Sequence, residues 1–149
     1  MTRPKQVVGT DRRAFVLAIL LGVSSRLIAA SNVGVDGMTA EELTECLSRL
    51  QRAVAGDDKA GVADLVSFPL VVNAANKKSK SVTALQFART YSETFTEKVK
   101  RAVLAQRPND MFRSWRGAMI GQGEVWLTAV CPDGGCTSHK VLITAINEF

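Results

Sequence analysis

The C-terminal segment Arg116–Phe149 constrains the fold most, because it predicts three consecutive antiparallel strands. Gly121-Gln122-Gly123 separates the first β-rich run from the second, and Pro132-Asp133-Gly134-Gly135 separates the second from the third. Glycine tolerates positive φ and proline presets the start of a turn, so both segments are typical of hairpin connections. The sequence therefore predicts a three-stranded meander in this part of the chain.

The part of the chain before this meander predicts helices. Thr39-Ala40-Glu41-Glu42 forms a capping box, with Met38 and Leu43 placed as a hydrophobic staple. Apolar residues then recur at helical spacing up to Gly56, namely Leu43, Cys46, Leu47, Leu50 and Val54. An amphipathic helix that ends at Gly56 follows from this pattern.

Further helices and one strand are predicted between Asp57 and Pro108. Asp57 is placed to cap a short second helix, and Ser67–Asn73 reads as a strand that Pro69 should make short or confine to a sheet edge. Thr83-Ala84-Leu85-Gln86 repeats the capping box, and its helix runs through Tyr91. Thr96 caps one more helix, which Pro108 closes. Helices and strands are thus segregated, which is the α+β pattern.

Residues 1–31 read as a secretory signal, with basic residues, a short apolar run and then small residues. Arg12-Arg13-Ala14-Phe15 resembles the twin-arginine export motif, and Arg26 after the apolar run is typical of such signals. Asp11 stands where that motif has Ser or Thr, so the general export route remains open. The apolar run, Ala14–Val23, is too short for a membrane span of about 20 residues. Cleavage is expected near Ser31.

The predicted organisation is a signal over residues 1–31, a short linker over 32–38 and a single α+β domain over 39–149. Fourteen basic and thirteen acidic residues follow residue 31, so the mature chain carries a net charge of +1. Most of the positive charge therefore belongs to the export signal, which gives no case for nucleic-acid binding. No membrane span is expected in the mature chain.

Three cysteines in an exported chain allow one disulfide. Cys131 and Cys136 flank the turn Pro132–Gly135 and are the expected pair, although a type I turn with a bulge would shift the register between the strands. Cys46 lies among leucines and is expected to be a buried thiol. The cysteine spacing lacks the C-x-x-C pattern, and His139 is the only histidine, so no metal site is expected.

Four stretches carry a resemblance to a known family. They are S-F-P-L-V-V-N, Q-F-A-R-T-Y-S-E-T-F-T-E-K-V, G-A-M-I-G-Q-G-E-V-W-L and the closing V-L-I-T-A-I-N. With the helices before them, they look like exported bacterial proteins of the nuclear-transport-factor-like superfamily. The resemblance covers nearly all of residues 39–149. It implies N-terminal helices packed on a curved antiparallel sheet that forms a cone, in members largely without assigned activity.

Enzymes with this cone-shaped fold move protons with a buried carboxylate in the open end of the cone. Glu124 is the candidate here, with Tyr91 and Trp126 as further residues of a candidate pocket. A solvated acid directly after a turn is the simpler interpretation of Glu124. His139 is expected at the surface, and Lys77-Lys78-Ser79-Lys80 is expected to be a solvated loop. No catalytic residue, metal or cofactor is therefore assigned.

The sequence thus predicts a small periplasmic binding or interaction protein without catalytic activity. The alternatives are an isomerase or dehydratase that uses Glu124, and an immunity or inhibitor protein against a toxin or hydrolase of the cell envelope. The predicted meander is apolar on both faces, and one face is predicted to bind a partner, with a homodimer as the default. If Cys131 lies opposite Cys136, one face holds Val125, Leu127, Ala129 and Leu142, and the other holds Trp126, Val130, Val141, Ile143 and Ala145.

Overall fold

The computed structural model describes Thr2, residues 32–75 and residues 78–148. Apart from Thr2, the predicted signal, with Arg12, Arg13 and Phe15, lies outside the described residues. The fold is α+β. Its helices are α1 (Ala40–Ala55), α2 (Lys59–Ala63), α3 (Ala84–Arg89), α4 (Tyr91–Thr94) and α5 (Glu97–Ala105), with a 3₁₀ turn at Pro108–Asp110. Its strands are β1 (Val66–Ala74), β2 (Lys80–Val82), β3 (Phe112–Ser114), β4 (Gly117–Ile120), β5 (Val125–Val130) and β6 (Lys140–Glu148).

The strands form one six-stranded sheet in the order β2-β1-β6-β5-β4-β3. Neighbouring strands are antiparallel except β1 and β6, which run parallel. The sequence predicted an antiparallel sheet throughout, and this part of the prediction is wrong. A parallel pair needs a long crossover, and here α3, α4, α5 and four strands lie between β1 and β6 in the chain.

Helices and sheet share one hydrophobic core. From the sheet, alternate residues point into it, and Val72, Leu127, Ile143 and Ile146 are each fully buried there. The helices contribute Leu47, Leu50, Phe87 and Val103 among others, and Phe95, directly after α4, is buried with them. The opposite sheet face, called the outer face below, keeps partly exposed side chains.

The first helix begins and ends as the sequence predicts. Thr39 Oγ1 accepts from the Glu42 amide at 3.1 Å, and Glu42 Oε2 accepts from the Thr39 amide at 2.7 Å. These two bonds satisfy amides that would otherwise lack helical partners. Met38 and Leu43 are both buried beside this cap. The capping box of Thr83 and Gln86 and the Thr96 cap are formed as well.

Two helix boundaries differ from the predicted ones. The cap of α2 is Asp58, which accepts from the Gly61 amide at 2.9 Å, whereas Asp57 adopts a positive φ of 49° in the preceding turn. The helix predicted to run through Tyr91 is broken at Thr90, so Tyr91 begins the separate α4. The side chain of Thr90 bonds the carbonyl of Gln86 at 2.9 Å, which competes with continuation of the helix.

Strand β1 is neither short nor at an edge, so the prediction from Pro69 is wrong. It has nine residues and lies between β2 and β6. Its pairing with β6 shifts register between Val66 and Val71, the interval that contains Pro69. This irregularity accommodates a residue without a backbone donor inside the sheet.

The predicted faces of β6 are also partly wrong. Val130 pairs with Lys140, so the connection between β5 and β6 spans residues 131–139 rather than a four-residue turn. Leu127 and Ala129 pair with Ile143 and Val141, which places these β6 residues on the core face. Leu142 pairs with Thr128 and lies on the outer face. In the predicted pairing Val130 would oppose Thr137, so the longer loop shifts the register by three residues. Because side chains alternate between faces, an odd shift exchanges the two faces.

Candidate functional site

A row of apolar side chains crosses the outer face of the sheet. Successive ladder partners place the members of this outer row side by side on β1, β6, β5, β4 and β3: Val71, Ala145, Trp126, Met119 and Phe112. Val71 and Phe112 are 38% and 56% exposed, and the three residues between them are partly buried. A contiguous apolar surface of this kind marks a binding region more often than scattered exposed residues do.

Uncharged polar side chains border the outer row on both sides. Thr128 and Thr144 hydrogen-bond each other at 2.9 Å on one side. On the other side Asn73 Nδ2 donates to Asn147 Oδ1 at 2.7 Å. The outer row therefore lies between a hydroxyl pair and an amide pair.

A cavity of about 310 Å³ opens on this face beside Trp126. This Trp126 cavity is lined by Asn73, Arg116, Trp126, Thr144, Ala145 and Asn147. The residues come from β1, β5, β6 and the turn between β3 and β4. An aromatic ring, two amides, a hydroxyl and one cation are the mixture of apolar and convergent polar groups found in ligand sites.

The amides of this cavity are held in place. Asn147 is buried, and its Nδ2 donates to the Gly123 carbonyl at 2.5 Å while its Oδ1 accepts from Asn73. Its backbone amide donates to the Glu124 carbonyl at 2.9 Å. The β4–β5 turn therefore fixes the position of Asn147, and Asn147 in turn orients Asn73.

Arg116 supplies the positive charge of the cavity. Its guanidinium carbon lies 5.0 Å from the centre of the Trp115 ring, and Trp115 is 77% exposed. This arrangement is a cation–π contact that holds the guanidinium without neutralising it. Within the described residues, Arg116 forms no salt bridge.

Tyr91, a member of the predicted pocket, is packed in an aromatic cluster on the inner side of the sheet, edge-to-face with one phenylalanine and stacked on another. Its ring centre lies 5.6 Å from those of Phe87 and Phe95, and the residue is 2% exposed. Burial raises the pKa of its phenol, whose oxygen has no hydrogen-bond partner among the described residues. The surroundings of Tyr91 therefore favour a neutral phenol.

Glu124, the candidate acid or base, lies in the β4–β5 turn and is 6% exposed, so its interpretation as a solvated acid is wrong. Its Oε2 accepts from the Gln122 amide at 2.6 Å, and the carboxylate lies against Gly121. Gly121 has a φ of +67°, and a Cβ there would overlap Glu124 Oε2. The carboxylate thus closes its own turn, and the turn needs glycine at position 121.

The three residues predicted to share a pocket lie in three places. Trp126 is on the outer face, Tyr91 is in the core among helices, and Glu124 is in a turn at the end of two strands. The sequence analysis assigned no role to Asn73, Arg116 or Asn147. One signal for the amides was available, because two apolar runs, V-V-N and A-I-N, both end in asparagine.

A second cleft of about 270 Å³ lies between α1 and the start of β6. Glu42, Cys46, Arg49 and His139 line it with neighbouring residues. His139 Nε2 lies 3.0 Å from Glu42 Oε1, in a geometry that falls short of an aligned hydrogen bond, and the contact is an ion pair when the imidazole is protonated. The Thr39 amide lowers the pKa of Glu42, and His139 contributes to this. The pair joins α1 to the loop 131–139.

The cysteines have the predicted arrangement. Cys131 and Cys136 form a disulfide with Cα atoms 4.9 Å apart, and Cys46 is a buried free thiol. Cys46 Sγ donates to the Val141 carbonyl at 3.5 Å, and burial raises the pKa of its thiol to about 11. Such a thiol is a weak nucleophile at neutral pH.

Comparison with protein-family models, with curated proteins and with solved structures finds no match for this chain. Among the described residues, no group of three or more His, Cys, Asp or Glu side chains is placed to hold a metal ion. In the same part of the chain, no helix has both the length and the apolar character that crossing a membrane requires. The site that fold and surface define is therefore an open sheet face beside a polar cavity.

Proposed function

We propose that this protein is a small exported binding protein without catalytic activity, and that it binds its partner on the outer face of the sheet. The observation that carries this proposal is the outer row, which runs across five strands from Val71 to Phe112. Partly exposed aromatic and sulfur-containing side chains in one row are typical of the centre of an interface.

The enzymatic alternative receives less support from the structure. It needs a carboxylate with an altered pKa in an apolar pocket, next to a proton-transfer partner. The Glu124 carboxylate accepts from a backbone amide of its own turn, and the Tyr91 ring packs between two phenylalanines, edge-to-face on one and stacked on the other. An immunity or inhibitor role would use the same outer face and is the form that this function takes if the partner is a toxin or hydrolase.

The fold part of the proposal is a cone of the nuclear-transport-factor-like kind. Its support is the order of elements, with α1 and α2 before a single sheet, and the core that the helices share with one sheet face. The β-bulge between Trp126 and Leu127 adds local twist to β5 and β6, which would curve the sheet around the helices.

The location part of the proposal is the periplasm, reached with the signal of residues 1–31. The Cys131–Cys136 disulfide supports an oxidising compartment. Replacing Arg12 and Arg13 with lysine is expected to abolish export by the twin-arginine route, measured by the share of the protein in the periplasmic fraction. An unchanged periplasmic share would instead indicate the general export route.

A pair of photo-crosslinking positions tests the binding surface. A photoreactive amino acid at Met119 reports on the outer row, and one at Leu85, which is 64% exposed on α3, is the matched control behind the sheet. We expect discrete adducts from position 119 in the protein's own periplasm and none from position 85. Adducts only at position 85 would show that the sheet face is not the binding surface.

A further inference from the structure

We propose that the Trp126 cavity binds a saccharide that carries a carboxylate, of the class of uronic acids and lactyl-bearing amino sugars. This inference rests on the proposed function, because it places the ligand on the same outer face. It concerns the part of that face over β1, β5 and β6, where the cavity lies. Phe112 and Met119, over β3 and β4, remain available to a protein partner.

Trp126 provides the surface for the sugar ring. The faces of a pyranose carry C–H groups and are apolar, whereas its rim carries hydroxyls, so a sugar packs one face on an aromatic side chain. The indole of Trp126 is partly buried between Met119 and Ala145, which are its partners on the adjacent strands. It is therefore fixed in position and still reaches the cavity.

The amides suit the rim of such a ring. Each sugar hydroxyl both donates and accepts, and an asparagine side chain offers both functions as well. Asn73 Oδ1 already accepts from Ser79 Oγ at 2.5 Å, and one N–H of Asn73 donates to Asn147. The other N–H of Asn73 has no partner among the described residues and is the donor open to a sugar hydroxyl. Because the Asn147 amide is fixed by Gly123, the pair is oriented before any ligand binds. Such preorganisation lowers the entropy loss of binding.

Arg116 indicates that the sugar is acidic. The side chains that line the cavity include no Asp or Glu, and Arg116 has no acidic partner in the described part of the chain. A guanidinium matches a carboxylate with two parallel hydrogen bonds. Trp115 stacks against Arg116 and so limits the positions that the guanidinium adopts.

A saccharide fits this position better than a peptide does. The backbone N–H and C=O groups of β1, β5 and β6 are directed within the sheet, where each strand has a neighbour on both sides. An extended peptide draws much of its affinity from backbone bonds at a free sheet edge, which the cavity lacks. A sugar takes its hydrogen bonds from side chains, and side chains are what the cavity presents.

Two sugars that differ only in the acidic group provide the test. The ¹⁵N-labelled protein is titrated with N-acetylmuramic acid and separately with N-acetylglucosamine, which lacks the lactyl carboxylate. We expect saturable shifts of the Trp126 indole N–H and of the Asn73 and Asn147 side-chain amides. Because its carboxylate can form charge-assisted hydrogen bonds with Arg116, N-acetylmuramic acid should bind at least about ten-fold more tightly than N-acetylglucosamine.

The Arg116→Gln variant tests the assigned charge, and Arg89→Gln, on α3, is the matched control. Arg116→Gln should lower the affinity for the acidic sugar to that for the neutral sugar, while Arg89→Gln should preserve the preference for the acidic sugar. Equal affinity for both sugars, or a preference that survives in Arg116→Gln, would overturn the proposal. If neither sugar binds, the saccharide proposal is also overturned. If crosslinking at position 119 persists in that case, the proposed function stands without a saccharide ligand. If saturable shifts occur only at residues outside the outer face, and position 119 gives no adduct, both the saccharide proposal and the proposed function are refuted.

Discussion

Arg113 on β3 holds the fully buried carboxylate of Asp36 with two hydrogen bonds. Nε donates to Oδ2 at 2.7 Å and Nη2 donates to Oδ1 at 2.6 Å. The same Nη2 donates to the Met38 carbonyl at 2.5 Å, and the Met38 amide donates to Asp36 Oδ1 at 3.1 Å. This network ties the segment before α1 to the edge strand β3. Residues 36 and 38, assigned to a linker by the sequence, are buried parts of the fold.

Removing one member of this pair should strongly destabilise the protein. In Asp36→Asn, Arg113 would lose its counter-charge in a partly buried site, and breaking such a pair typically costs about 3–5 kcal/mol. The control is Asp110→Asn, because Asp110 pairs with Arg107 at 3.8 Å on the surface with both side chains mostly exposed. That change should lie within about 1 kcal/mol of the parent. Urea unfolding measures both, and equal effects would contradict the assigned role of the buried pair.

The Asp36–Arg113 pair should make the free energy of unfolding depend on pH in the acidic range. The Arg113 guanidinium holds the pKa of Asp36 below its ordinary value of 3.8. A carboxylate with a lowered folded pKa adds stability that is complete above the unfolded pKa and is lost as the pH falls through the folded pKa. The free energy of unfolding should therefore fall below about pH 4. In Asp36→Asn the free energy of unfolding should fall less steeply with decreasing pH than in the parent. The same pH dependence in both proteins would refute this assignment.

The helix cap at Thr39 offers a second stability test. Thr39→Ala removes the acceptor of the Glu42 amide and should lower the free energy of unfolding by about 1 kcal/mol. Thr44→Ala is the control, since Thr44 is exposed inside α1 and its hydroxyl bonds only the Ala40 carbonyl. Alanine has the better helix propensity, so this control should be neutral or slightly stabilising. A larger loss in Thr44→Ala than in Thr39→Ala would contradict the cap.

Local features of the fold could be predicted from the sequence, and long-range ones could not. The caps at Thr39, Thr83 and Thr96 were predicted because each depends on residues within one helical turn. The burial of Cys46 followed from helical periodicity in the same way. The break at Thr90 was missed, since its cause is a side-chain bond that competes with the helix.

Pairing between distant segments carries little local signal. The parallel pair of β1 and β6 and the contact of Asp36 with Arg113 join residues more than seventy positions apart. The register of β5 and β6 depended on the length of the loop 131–139, where turn-forming residues allow more than one connection. The Trp126 cavity is built from three strands and a turn, so its residues become neighbours only in the folded sheet.

The three cysteines should differ sharply in reactivity. Non-reducing peptide mapping is expected to show a Cys131–Cys136 link, and Cys46 should resist alkylation at neutral pH because it is buried and its thiol pKa is raised to about 11. Unfolding in urea should expose Cys46 to the reagent. Replacing both Cys131 and Cys136 with alanine should lower stability by about 2 kcal/mol, since the closed loop is short. A link from either residue to Cys46 would contradict the structure.

Self-association through the outer row is the remaining prediction. Two-fold homodimers are the commonest oligomers, and an outer row that carries a half-exposed Phe112 can meet the same row of a second copy. We expect a dimer in sedimentation velocity at micromolar concentration, and Phe112→Ser should shift it toward monomer. Leu85→Ser is the control, because Leu85 is similarly exposed but lies on α3. A parent protein that sediments as a monomer would exclude the homodimer and leave the outer row to a different partner. Equal dissociation in both variants would place the contact elsewhere than on the sheet.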